Sequence, residues 1–273
     1  MNESSKKILF VNSEIFPYLP ESPIASVGRY LPQGIQERKN EIRSFMPRYG
    51  CINERKNQLH EVIRLSGMNI IVGDVDRPLV IKVASISAAR MQVYFIENDD
   101  FFKRKQLAFD EHGKFFADNA ERAVFFARGV LETTKKLRWA PDIIHCHGWI
   151  SHLLPAYLKK AYKDDPIFAQ SKIVLSLYDD ISKEKFSSSF GSLACFGNIT
   201  REDLPLLGKD ADGIELAKTA AQYADAVILG SKNVPEKVVA YCKERNLPIL
   251  PYDAKRIEDG SYIDDYNSFY DQL

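Results

Sequence analysis

Apolar runs of strand length recur along this chain with helical segments between them, and that alternation constrains its fold more than any single motif. In chain order the runs read ILFV, IRSFM, NIIV, LVIKVASI, QVYFI, DIIHC, KIVLSL and DAVIL. Several are continuously hydrophobic rather than alternating, the pattern of parallel strands covered on both faces. From Leu79 to Ile96 the pattern alternates more and two runs lie close together, which predicts a hairpin on the sheet edge. Between the runs, FADNAERAVFFARGVLETTKKLR carries Ala120, Ala123, Val124, Ala127, Val130 and Leu131 on one face at helical spacing. Asp118 or Asn119 is placed to cap that helix, and the lysines near its end suit the helix dipole. GIELAKTAAQYA and VPEKVVAYCKERN predict two more helices. Strands alternating with helices give an α/β chain with a doubly wound, mostly parallel sheet.

With 273 residues and 45% hydrophobic content the chain can bury a large core, and residues 1–273 are read as a single domain. Thirty-seven basic residues balance thirty-seven acidic ones, so no global positive field gathers nucleic acid or anionic membrane. The apolar run after MNESSKK is too brief for a signal-peptide core, and no stretch is long enough for a membrane helix. Cys51, Cys146, Cys195 and Cys242 are far apart and form no CxxC pair, so they read as reduced thiols of a cytoplasmic protein. Residues 182–213 are polar, glycine-bearing and weakly periodic, which predicts a mobile insertion. Residues 251–273 form an acidic tail rich in Tyr and Asp, expected to pack on the surface or to fray.

In open parallel sheets, ligands bind outside the carboxyl ends of the strands. Three such ends stand out: the turn after the first strand (residues 16–25), HCHGW (145–149) and LYDD (177–180). His145 and His147 lie two apart on a strand and share a face. A zinc site needs a third ligand that no HExxH or Cys/His cluster supplies, so no metal or cofactor is expected. The two histidines read either as hydrogen-bonded groups at a strand end or, with Trp149, as recognition groups for sugar hydroxyls. Cys146 points to the opposite face and makes a poor nucleophile candidate. Asp179 and Asp180 read as a cap or solvated turn rather than an acid/base couple, and FFKRK as a solvated loop face.

In order along the chain, KILFVNSEIFPYL, MPRYG, VYFIEND, FADNAERAVFFARGVLE, PDIIHCHGWISHLLPAYLK and QYADAVILGS resemble the bacterial glycogen/starch synthases. The resemblance covers residues 6–242. It implies a Rossmann-like domain like the N-terminal, acceptor-side half of a GT-B glycosyltransferase that uses ADP-glucose or UDP-glucose. It also implies candidate sugar-binding positions at His145, His147, Trp149, Asp118, Asn119 and Tyr178, and a partner in α-glucan or maltooligosaccharide.

The family's first turn has the form Lys-Thr-Gly-Gly-Leu, whose lysine meets the sugar-nucleotide phosphates. Aligned on Ser13 to Pro17, those positions hold Pro20, Glu21, Ser22, Pro23 and Ile24. A carboxylate sits beside the lost lysine, and both prolines lack an N–H. In the tryptophan motif, Gly148 stands for the family's aspartate and Ile150 for its sugar-contacting histidine or glutamine. At the next strand end, Tyr178 and Asp179 replace His-Asn. The chain also ends soon after the first domain, so the second, nucleotide-sugar domain is expected to be absent. These departures predict a domain without independent transferase activity, a carbohydrate-binding or regulatory partner. The alternative is an active transferase completed by a separate polypeptide or by oligomerisation through the face where the second domain would dock.

Overall fold

The computed structural model describes residues 5–273. The first half comprises β1 (Lys7–Asn12), α1 (Pro23–Glu37), β2 (Glu41–Pro47), β3 (His60–Glu61), β4 (Met68–Val72), β5 (Val75–Ile86), β6 (Met91–Glu97), α2 (Asp99–Phe102) and α3 (Asn119–Lys136). There follow β7 (Ile143–His147), α4 (Leu154–Lys160), β8 (Lys172–Leu177), α5 (Phe190–Leu193), α6 (Gly213–Tyr223), β9 (Ala226–Leu229), α7 (Glu236–Glu244), β10 (Ile249–Leu250), α8 (Ala254–Asp259) and α9 (Tyr262–Asp271). The sheet runs β10-β9-β8-β7-β1-β2-β6-β5-β3, with β4 paired to β5. All neighbours from β10 to β6 are parallel, and β5 and β6 form the expected antiparallel hairpin toward one edge. No helix among the described residues is long and apolar enough to cross a membrane.

The strand order decides which face each helix covers. From β1 to β2 the chain steps one way across the sheet, and from β7 through β10 it steps the other way. Right-handed crossovers therefore put α1 on one face and α4, α6 and α7 on the opposite one. The large core forms on the second face, where Leu9, Ile144, Leu175 and Val227 meet α3, α4, α6 and α7. Facing α1, the strands present Ile8, Phe10, Ile143, Val174, Ala226 and Ile228, and α1 alone is too narrow to cover them.

The C-terminal segment supplies the missing cover. Tyr262, Tyr266, Phe269 and Tyr270 recur at helical spacing and bury one face of α9 against those strands. Each such ring contributes about 1.5–3 kcal/mol by area removed from water. Arg38 pairs with Asp264, Lys6 with Asp271, and Asn40 with Asn267, so the polar edge of α9 is tied down too. Gly34 of α1 lets the two helices close, since a Cβ there would meet Ile263 at 2.7 Å. The tail thus packs against the sheet, where the sequence left packing on the surface and fraying both open. Tyr262, Tyr266 and Tyr270 are apolar cover at spacing 4, with Phe269 three after Tyr266, a signal that the flanking aspartates obscure.

The segment 182–213, expected to be a mobile insertion, is likewise packed. Phe186, Phe190, Ala194, Ile199, Leu204 and Leu207 are buried in the main core. Its turns are closed by local bonds, including the reciprocal cap between Thr200 and Asp203. Weak periodicity here reflects short turns that bury isolated side chains, with no long helix to show a repeat.

Tyr270 gives a direct check on the tail. Its hydroxyl meets His145 Nδ1 at 2.6 Å inside the core. Tyr270→Phe keeps the ring but strands that nitrogen, and we expect a loss of about 1–3 kcal/mol in urea denaturation. A fraying tail would give no change.

Candidate functional site

The carboxyl ends of β1, β7, β8 and β9 open on one end of the sheet, where the turn before α1 meets the motifs after β7 and β8. At that turn, Ser22 is the N-cap of α1: its Oγ accepts from Ala25 N at 3.0 Å. The same hydroxyl donates to Glu14 Oε2 at 2.9 Å. Glu21, on the exposed side, accepts from Ser26 Oγ at 3.2 Å. Two carboxylates therefore sit at the helix N-terminus, the place where backbone N–H groups and the helix dipole favour a bound anion. Burial raises the Glu14 pKa, and the Ser22 hydrogen bond partly offsets that. Pro20 is exposed, and Pro23 is the first helical residue and brings no N–H. Gly28 brings α1 close to β1, since a Cβ there would lie 2.5 Å from the Glu14 carbonyl oxygen.

After β7 the backbone turns through Gly148 at φ +80° and ψ 160°. A Cβ at this position would lie 2.1 Å from Ser13 Oγ and 3.2 Å from Asp180 Oδ2. The carboxylate absent from residue 148 has a neighbour's in its place: Asp180 Oδ2 accepts from Trp149 N at 2.8 Å. Asp180 thus caps the short helical turn 149–151. Although the residue as a whole is half-buried, its Oδ1 is enclosed without a partner among the described residues. Burial pushes its pKa up to about 6, with the Trp149 N–H opposing and the Glu14 carboxylate adding to the rise. Beside it, Trp149 packs on Phe115 and Phe186, with ring centroids 6.4 and 6.1 Å away. Tyr49, Arg122 and Ser13, which sequence reasoning did not single out, each bury a polar atom that has no partner among the described residues at this end of the sheet.

The other expected sugar-binding positions are engaged within the fold. His145 is buried, with Nδ1 on Tyr270 and Nε2 2.7 Å from Ser176 Oγ. His147, also buried, meets the Tyr178 hydroxyl at 3.0 Å, and its Nε2 has no partner among the described residues. Tyr178 and Ile150 are fully buried. Burial drives the pKa of His145 well down and those of His147 and His152 to about 3, so all three are neutral. Asp118 precedes α3 but makes no cap bond; its carboxylate pairs with Arg104. Asn119 lies inside the helix, where it accepts from Arg122 and donates to the Ala108 carbonyl. Cys146 is buried on the opposite sheet face, and burial raises its thiol pKa. Among the described residues no three His, Cys, Asp or Glu side chains form a group fit to hold a metal.

Between α1, the ends of β8 and β9, and α8 lies an open cleft of about 900 Å³. Glu21, Asp179, Glu258 and Asp259 line it against the single ammonium of Lys232. Tyr30, Tyr252 and Tyr262 supply its aromatic surface.

Residues 7–245 match the family described as the starch synthase catalytic domain. The glycogen synthase of Chlorobium limicola is 34% identical over 235 residues, which cover 85% of this chain and 47% of that protein. That of Pelodictyon phaeoclathratiforme is 33% identical over 241 residues, covering 88% and 48%. The chain spans about half the length of the curated relatives it matches. The catalytic domain of Starch Synthase IV from Arabidopsis thaliana, solved with ADP and acarbose, superposes with a TM-score of 0.71. At 15% identity, over 91% of this chain and 51% of that one, this likeness establishes a GT-B-type, Rossmann-like fold.

Two stability measurements test this geometry. Gly148→Ala forces a side chain into a glycine-only backbone region and against Ser13, and should cost about 2–5 kcal/mol in urea denaturation. Adding Ser13→Gly should recover the part due to the clash. Asp180 has a folded pKa of about 6 against the ordinary 3.8, so its contribution is present below the ordinary value and lost as pH rises through about 6. Asp180→Asn keeps an acceptor for Trp149 N. Its stability relative to the unmodified chain should grow by about 1–3 kcal/mol between roughly pH 4 and pH 7. The histidines are common to both proteins and cancel in that difference.

Proposed function

The chain belongs to the starch synthase catalytic-domain family, and from that premise we propose that it binds α-glucan or maltooligosaccharide without carrying out glucosyl transfer on its own. The observation that carries this reading is the pair of carboxylates at the N-terminus of α1. A sugar nucleotide brings phosphates to such a turn, and Glu14 and Glu21 repel them where the helix would otherwise attract them. Ser22 already takes the Ala25 N–H through its Oγ and the Ser26 N–H through its carbonyl, and Pro23 has none, so few of the donors that would cradle a phosphate remain.

Glucan carries no charge, and these carboxylates do not oppose it. A domain that holds glucan without transferring glucose would act as a carbohydrate-binding or regulatory component of glucan metabolism. Regulation would run through a protein partner or a second copy on the strand-end face. We assign it to the cytoplasm, where its four unpaired cysteines remain thiols.

A competing reading is a transferase from ADP- or UDP-glucose to an α-1,4-glucan, completed by another polypeptide or by oligomerisation. It asks for an apolar docking face at the strand ends. The acidic lining of that end weighs against it.

The test is turnover: the purified chain, with ADP-glucose or UDP-glucose and glycogen, should release no nucleoside diphosphate. Maltoheptaose should give a saturable calorimetric signal with the same preparation. Detectable glucosyl transfer by the chain alone would overturn the proposal.

A further inference from the structure

We infer that a cavity between the β4–β5 turn and α5 binds a small phosphate monoester, with Arg128 as the anchor of its terminal phosphoryl group. The cavity holds about 400 Å³ and shares no lining residue with the cleft at the strand carboxyl ends. Its two walls come together where the turn approaches α5, since a Cβ on Gly73 would lie 3.2 Å from Leu193. Between them, α3 contributes Arg128.

Arg128 is the informative side chain. Only 7% of it is exposed, yet it forms no ion pair among the described residues. Glu132, one helical turn further along α3, accepts from the Tyr162 hydroxyl at 2.6 Å and faces Lys135 at 3.9 Å instead. The charge of Arg128 reaches the phenols of Tyr157 and Tyr162, but burial keeps both protonated. Taking a cation out of water with no counter-charge is costly. Here the guanidinium is nonetheless fixed: Nη1 donates to the Ile71 carbonyl, and Cζ lies 3.6 Å from the Phe196 ring centroid. Nε is enclosed, while Nη2 has no partner among the described residues and is not enclosed. A guanidinium held this firmly and short of a counter-charge is preorganised for an oxyanion.

The other lining groups select the kind of oxyanion. Hydroxyls of Ser189 and Ser192 border the same cavity. A tetrahedral phosphoryl group offers oxygens to the guanidinium and to both hydroxyls, whereas a carboxylate offers two in one plane. Ile71, Leu193 and Phe196 form an apolar wall, and the cavity is larger than a phosphoryl group alone, so an organic remainder fits beside it. The site asks for a terminal phosphoryl group, which a sugar nucleotide, esterified at both ends of its diphosphate, does not offer. Asp74 is the one carboxylate lining the cavity among the described residues, and it sits exposed on the β4–β5 turn. Its charge opposes the ligand.

The experiment titrates phenyl phosphate and benzoate calorimetrically into the unmodified chain and into Arg128→Met, Ser192→Ala and Asp74→Asn. Circular dichroism checks that each variant is folded. Phenyl phosphate should bind the unmodified chain, and more weakly as salt is added. Ser192→Ala should weaken binding about 2- to 10-fold, and Arg128→Met more than about 10-fold. Asp74→Asn should tighten it about 2- to 5-fold. Bound phenyl phosphate should also slow alkylation of Cys195, which lines the cavity, as read by mass spectrometry of that peptide. An Arg128 that serves only to tie β4 to α3 predicts none of these effects at Ser192, Asp74 or Cys195. If Arg128→Met does not fold, the other two variants and the thiol decide. Failure of phenyl phosphate to bind the unmodified chain overturns the inference, as does binding that Ser192→Ala and Asp74→Asn leave unchanged. Benzoate binding as tightly as phenyl phosphate overturns the phosphoryl group as the ligand.

Discussion

The handedness of the strand crossovers is the constraint on which the rest of the molecule depends. It places one helix, α1, on a face that spans at least four strands, and places α4, α6 and α7 on the other. A parallel sheet with an open apolar face is not stable in water, so that face must be covered. Here α9 covers it, and the consequences reach the site. His145 is sealed beneath Tyr270, the polar edge of α1 is tied to the end of the chain, and α8 becomes the wall of a cleft.

The same economy of contacts shapes the first turn. A strand-to-helix turn concentrates unpaired N–H groups, and in the unliganded chain these need partners of its own. Ser22 caps α1 and relays to Glu14, while Glu21 is steadied by Ser26. At the neighbouring motif, Gly148 yields its space to Ser13 and to the Asp180 carboxylate, which takes over the Trp149 N–H. Both turns meet their backbone N–H groups with internal partners.

Much of the architecture was legible in the apolar runs, because strands buried on both faces and helices with one buried face have distinct periods. The β5–β6 hairpin and α3, α6 and α7 follow the sequence pattern closely. The composition of the first turn was plain in the sequence, and Pro20, Glu21 and Pro23 raise the expectation of a turn poor in donors and acidic. What lay hidden depends on distant pairing. Nothing local marks Tyr270 as the partner of His145, 125 residues away, or Asp180 as the cap of Trp149. The tail's tyrosines do carry a helical repeat, but interleaved aspartates made it read as polar. Segment 182–213 buries single aromatic and aliphatic side chains from short turns, which leaves no period to detect.

In the proposed reading, the chain's own carboxylates close the N-terminus of α1 to phosphate. Phosphorus NMR of ADP-glucose titrated with the unmodified protein, and with a Glu14→Gln/Glu21→Gln variant, addresses this directly. No shift or broadening of the diphosphate resonances is expected with the unmodified chain, and any response should emerge only when the two charges are removed. Saturable perturbation of those resonances by the unmodified protein would contradict the account.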